Sequence, residues 1–171
     1  ARDLCGLADL DEVCATMSDL AELALAAALD EQGLIVVAMG KLGGRELNVS
    51  SDIDLIFVHP GGLEDQERYE RAGRRLIRLL AATTEDGVVF RVDMRLRPYG
   101  DSGPLACSFD FLEAYFIAQG REWERYAWIK ARAVTGSRHE ELYRIVRPFV
   151  FRKYLDYATL GAMRELHAEV R

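Results

Sequence analysis

Two carboxylates at the head of an apolar run, Asp52-Ile53-Asp54-Leu55-Ile56-Phe57-Val58, limit what this chain can fold into more than any other feature. The aliphatic, β-branched and aromatic content of the run predicts a buried strand over about 54–58. Side chains two apart on a strand share a face, so Asp52 and Asp54 project together, with Cα atoms roughly 6–7 Å apart. Like charges on a largely apolar strand are costly unless a cation joins them. Mg²⁺ suits such a pair, being a hard ion that takes carboxylate oxygens together with substrate phosphates. The segment points to metal-assisted phosphoryl or nucleotidyl chemistry.

The flanking sequence supplies further parts. Upstream, residues 34–39 form a second short apolar run, predicted as a strand, and Gly40, Lys41, Gly43 and Gly44 follow it as a glycine-rich loop. These glycines either let backbone N–H groups approach a phosphate or form an ordinary loop. Glu46-Leu47-Asn48 reads as a helical turn. Downstream, residues 88–95 alternate, with Val89, Arg91, Asp93 and Arg95 on one face and Val88, Phe90, Val92 and Met94 on the other. A charged face opposite an apolar one fits a half-buried strand under a cleft. Asp93 either joins the carboxylate pair or forms a salt bridge to Arg91 or Arg95. Arg95 faces the cleft on this reading, as does Arg97 if the strand persists, and both suit bidentate pairing with phosphate. Ser51 either bonds a phosphate oxygen or ends a turn, and Lys41 either meets phosphate or faces solvent.

The rest of the chain reads as helix: residues 4–29 and 64–82 before the alternating stretch, then 109–118, 121–134, 140–151 and 158–170. The expected architecture is α+β, with an N-terminal helical segment over 1–30, a sheet-containing core over 31–106 and a helical bundle over 107–171. The 171 residues are enough for one domain with a core, and the helical pattern at both ends suggests a piece of a longer protein. Net charge is −6, which does not favour general nucleic-acid binding. The basic residues Arg91, Arg95, Arg97, Arg121, Arg125, Lys130 and Arg132 crowd the middle, either as a local anion site or as ordinary ion pairs. Three cysteines without ligand spacing, no apolar span of membrane length and no signal peptide suggest a reduced, cytoplasmic protein with no membrane contact. His59, His139 and His167 lack ligand spacing and read as structural or surface residues. Trp123, Tyr126 and Trp128 suit core packing better than adenine stacking.

Met39-Gly40-Lys41, ten residues, then Asp52-Ile53-Asp54-Leu55, with Asp93 on a later strand, resembles the nucleotidyltransferase superfamily typified by DNA polymerase β. Lys41 departs from it, standing where Gly or Ser is usual. Longer strings are more specific: residues 40–48, 50–57, Arg91-Val92-Asp93-Met94-Arg95-Leu96-Arg97-Pro98 and Ser102-Gly103-Pro104-Leu105. With Trp123-Glu124-Arg125, Lys130-Ala131-Arg132 and Arg147-Pro148-Phe149, they look like the glutamine synthetase adenylyltransferase family, over most of the chain from Val36 to Tyr154. Ser50-Ser51, Met94, the 102–105 string and residues 147–152 are more similar to the family's deadenylylating domain than to its adenylylating one.

The resemblance implies a DNA polymerase β-like sheet, Mg²⁺ (or Mn²⁺) held by Asp52, Asp54 and Asp93, and phosphate contacts from Gly40, Lys41, Gly43, Gly44, Ser51, Arg95 and Arg97. It implies phosphorolysis of adenylylated glutamine synthetase, with inorganic phosphate consumed and ADP released, and input from the signalling protein PII through the full-length enzyme. Two alternatives stay open: adenylylation of glutamine synthetase from ATP, and a nucleotide-sensing module without turnover.

Overall fold

The computed structural model describes residues 5–31, 33–151, 161, 164, 165, 167 and 168. The first helix, α1, covers Leu10–Ala28, starting later than the periodicity alone suggests. Asp9 sets that start: its carboxylate accepts from the Glu12 N–H at 2.8 Å and caps the first turn. Strand β1 is Ile35–Ala38, and a single helical turn, α2, follows at Gly40–Gly43. Strand β2 is Ile53–His59. A short 3₁₀ turn leads into α3 at Gln66–Ala81. Then come β3 (Val92–Asp93), β4 (Ala106–Ser108), α4 (Phe109–Ala118), α5 (Glu122–Trp128), β5 (Arg132–Ala133) and α6 (His139–Val150).

The sheet is mixed. β1 and β2 pair antiparallel, with Val37 opposite Ile56 and Ala38 opposite Leu55. The other edge of β2 receives two parallel strands in succession, β3 at Ile53 and Asp54 and β4 at Phe57, Val58 and His59. This sharing shortens the alternating strand expected over 88–95: β4 takes the far part of the edge, so only Val92 and Asp93 are paired, and Val88 and Val89 are exposed. The alternation still sorts the side chains there, for Phe90 and Met94 are buried while Arg91 and Arg95 are exposed.

Both faces of the sheet are covered, which is why β1 and β2 read as nearly continuous apolar runs. Val36, Ala38, Ile53, Leu55 and Phe57 pack with α1 and α3 on one face. Ile35, Val37, Met39, Ile56 and Val58 pack with Phe109, Leu112, Phe116, Trp128, Leu142, Val146 and Phe149 on the other. The helices after β4 thus lie on the sheet, and α6 packs on both α4 and α5. The helix expected over 158–170 falls largely outside the described residues.

One expectation is overturned by tertiary bonding. Residues 121–134 are not a continuous helix: α5 ends at Trp128, and Arg132–Ala133 extends along the free edge of β1. Val134 donates to the Val36 carbonyl at 2.9 Å, and the Val36 N–H donates to the Thr135 hydroxyl at 3.1 Å. The outer edge of a buried strand must find partners for its polar groups, and this need outweighs helical periodicity. Glu46-Leu47-Asn48 is likewise not a helical turn; the turn lies earlier, at Gly40–Gly43, and Leu47 is fully buried. All three cysteines are free, and burial pushes the Cys107 thiol up to about 12, leaving it inert. Among the described residues no helix is long and apolar enough to cross a membrane.

Candidate active site

Strand alternation carries Asp54 onto the sheet face that bears Ile56 and Val58, at the strand end nearest Asp52. Val92 packs into the opposite core, so Asp93 shares the face of Asp54. The parallel register sets Asp54 directly beside Asp93. Two carboxylates far apart in the chain are thus neighbours across the strands. Asp54 is half-buried, and its carboxyl is pushed above the usual range by burial first, then by the charges of Asp93 and Asp52.

Each flanking carboxylate faces an arginine. Arg91 Nε lies 2.5 Å from Asp52 Oδ1, and its Nη2 donates to the Ser50 carbonyl at 2.7 Å. Arg95 Nε and Nη2 approach Asp93 Oδ2 at 2.8 and 2.5 Å. That guanidinium, with the Arg95 N–H, holds Asp93 below the ordinary carboxylate range. The chemistry of the donor set fits a hard dication, because three carboxylates crowd one sheet edge and the central one is pushed toward protonation. As placed, the oxygens do not converge: among the described residues no three acidic, histidine or cysteine side chains form a ready ligand cluster. Asp52 meets its arginine through Oδ1 alone, so its other oxygen keeps its lone pairs for an ion.

The glycine turn meets this edge directly. Gly40 has φ of 51°, and a Cβ there would fall 2.8 Å from Asp54 Oδ2. Gly43 is packed more tightly, since a Cβ would fall 2.3 Å from the Lys130 carbonyl and 2.7 Å from that of Ala38. Gly44 caps the turn, its N–H donating to the Gly40 carbonyl. Lys41 Nζ lies 3.3 Å from Ser51 Oγ, and Ser51 donates to Asn48 Oδ1 at 2.8 Å. An apolar hollow of about 320 Å³ opens beside Gly40 and Lys41, walled by Tyr126, Ala127 and Ile129.

The basic residues separate into distinct groups. Arg125 is fully buried, its Nε donating to the Phe149 carbonyl at 2.8 Å, and so ties α5 to α6. Lys130 pairs with Glu46 at 2.6 Å. Arg132 donates to the Gly43 and Leu42 carbonyls and pairs with Glu22 of α1 at 2.6 Å, fastening the end of the glycine turn. The sequence alone offers no signal for that role, which depends on β5 lying beside β1. Arg97 does not continue the line of Asp93 and Arg95: the strand stops at Asp93, and Arg97 turns back to donate to the Met94 carbonyl at 2.8 Å. It lines a second cavity, of about 370 Å³, with Arg95 and Arg121. His59 is structural, buried against Tyr69 with ring centroids 4.3 Å apart. Trp128 is core, whereas Trp123 is partly exposed at the second cavity.

Residues 29–144 match the profile of the family described as Glutamate-ammonia ligase adenylyltransferase. The chain is also similar to proteins named bifunctional glutamine synthetase adenylyltransferase/adenylyl-removing enzyme. Identity is 57% to the one from Aromatoleum aromaticum and 55% to the one from Chromobacterium violaceum, in each case over 99% of this chain. It is 52% to the one from Nitrosomonas europaea, over all of this chain. The chain spans about a fifth of the length of these relatives, 21% of the first and 22% of the others.

Proposed function

The chain belongs to the glutamate-ammonia ligase adenylyltransferase family, and from that premise we propose that it carries a nucleotidyltransferase site that removes AMP from an adenylylated tyrosine of glutamine synthetase by phosphorolysis. The observation that carries the reading is the parallel register of Asp54 with Asp93, against Gly40 and within reach of the Asp52 charge. Such a sheet is compatible with a nucleotidyltransferase of the DNA polymerase β type. The direction rests on the motifs around Ser50-Ser51 and over 102–105, and the relatives' names carry both activities.

In this reaction an oxygen of inorganic phosphate attacks the phosphorus of the AMP–tyrosine ester. The phosphorus–phenol bond breaks, ADP forms, and the proton of the phosphate ends on the tyrosine oxygen. Phosphate is already anionic near neutral pH, so the barrier is repulsion between anions and charge growing on the transferred group, which placed cations relieve. Asp52, Asp54 and Asp93 would hold Mg²⁺ or Mn²⁺, which supplies Lewis-acid charge neutralisation when bound. Lys41 and Arg95 bring fixed positive charge to the same edge, and both already act on Asp54. The missing side chain at Gly40 lets the turn lie close against Asp54, and the apolar hollow at Tyr126 gives the purine a surface to stack on. The reading places the site in the cytoplasm, with PII acting through the full-length protein.

The deciding assay supplies adenylylated glutamine synthetase and phosphate and measures ADP, in parallel with ATP, unmodified synthetase and AMP incorporation. ADP formation supports the reading. AMP incorporation alone reverses the direction, and nucleotide binding without either product makes the chain a sensor. Asp52→Asn and Asp93→Asn should each reduce turnover by at least about a hundredfold while retaining the wild-type circular dichroism; near-normal turnover in either sinks the metal assignment.

A further inference from the structure

The second cavity has a largely cationic lining. Arg95, Arg97 and Arg121 contribute to it together with Tyr99 and Trp123. The Arg97 side chain is only 11% exposed, and its buried Nε has no hydrogen-bond partner. A buried guanidinium N–H without an acceptor is costly, and a small shift of the Arg97 side chain toward an acceptor in the cavity would relieve that cost. Arg97 pairs with Asp101 at 3.3 Å, but Asp101 is 83% exposed, so solvent weakens that pair. Glu124 is the carboxylate in the lining, and both its oxygens are engaged: Oε1 by the Tyr115 hydroxyl at 2.5 Å and Oε2 by the Arg121 N–H at 2.9 Å. Its charge is turned toward donors of its own. Tyr99 stands at the mouth with φ of 60°, a left-handed backbone that a non-glycine residue adopts only under constraint.

We propose that this cavity is the binding site for the attacking inorganic phosphate, with Arg97 and Arg121 as its principal ligands and Arg95 as the link to the reacting centre. The inference rests on the phosphorolytic reading above and adds the place of the second substrate. A phosphate is small enough for a cavity of about 370 Å³ and matches guanidinium forks in charge and plane. Arg95 lines the cavity while its guanidinium holds Asp93, so the cavity adjoins the carboxylate edge. Separate seats for the nucleophile and for the AMP group keep two anions apart until they react.

Trp123 reports on the cavity by its fluorescence, while Trp128 is buried elsewhere. Titrating the chain with inorganic phosphate should give a saturable change that Trp123→Phe removes, while calorimetry on that variant still detects binding. Arg121→Gln and Arg97→Lys should each weaken phosphate binding at least about tenfold. In turnover, the same variants should raise the KM for phosphate by a similar factor and leave the KM for the adenylylated protein in place. Circular dichroism checks each variant's fold, and Arg121, at the exposed start of α5, is the safer substitution. If AMP or ADP displaces phosphate from the cavity in an Arg121-dependent way, the site reads a nucleotide phosphate and the assignment falls. Turnover with a phosphate KM indifferent to both arginines sinks the site but keeps the reaction. Arg121-dependent phosphate binding without ADP formation keeps the site and sinks the reaction.

Discussion

Asp54 is half-buried at a sheet edge beside two other carboxylates, and its carboxyl is raised by burial and by Asp93 and Asp52. A raised carboxyl holds its proton more tightly in the folded chain than in the unfolded one. Between the ordinary carboxylate range and the raised value, stability therefore falls as pH rises. Asp54→Asn should raise the melting temperature near neutral pH, and the gain should vanish below the ordinary carboxylate range, where wild-type Asp54 is protonated in both states. The same variant should lose turnover, and Mg²⁺ should raise the melting temperature of the wild type more than that of Asp54→Asn. Thermal melts across pH, with and without the ion, check all three. Asp93 has the opposite sign: its depressed carboxyl contributes stability above the ordinary range, lost as pH falls through the depressed value. The Asp52–Asp54 pair was legible in the sequence because a spacing of two needs only a strand. The neighbour relation of Asp54 and Asp93 was not, since register depends on which edge of β2 the later segment reaches.

At the scale of elements, backbone packing fixes the glycine turn at Gly43. A methyl group at Gly43 would meet the carbonyls of Lys130 and Ala38, neither of which can rotate away. At Gly73 of α3 it would meet the Phe57 ring at 2.7 Å, a side chain rather than backbone. Gly73→Ala should cost about 1–3 kcal/mol, as ordinary overpacking does. Gly43→Ala should cost more, with α2 displaced from β1; chemical denaturation of both variants gives the order. Arg132 adds a clamp on the same turn. Arg132→Met should speed hydrogen exchange at the Gly43 and Gly44 amides, which bond to the Met39 and Gly40 carbonyls. The three close-spaced glycines were plain in the sequence as a breaker. Which of them is fixed by packing became plain only when β5 brought Lys130 alongside.

At the scale of the whole molecule, one sheet serves two cores. β1 and β2 send alternate side chains to α1 and α3 on one face and to α4–α6 on the other. The carboxylates lie on the second face, so the helices after β4 border the site; the Tyr126 hollow and the Arg97 cavity both open against α5. A shared sheet makes the two cores fail together. Phe57→Ala, in the first core, should cost about 3–5 kcal/mol. It should also shift the unfolding midpoint seen by Trp128 fluorescence, in the second core, as far as the midpoint seen by circular dichroism. Separate midpoints would mean two independent units.

Local pattern by itself determined the two buried strands, the amphipathic α3, and the alternation that sets Arg91, Asp93 and Arg95 apart from Phe90 and Met94. Each follows from a period of two or 3.6 residues, which neighbours in sequence impose on one another. The tertiary structure alone decided that the helix expected over 121–134 breaks to supply β5, that Arg97 turns into a separate cavity, and that the crowded basic residues divide among carboxylates, cavity and core. The reason is the same in each case. An open strand edge and a buried charge are satisfied by partners far along the chain, and the spacing of residues in one segment carries no record of them.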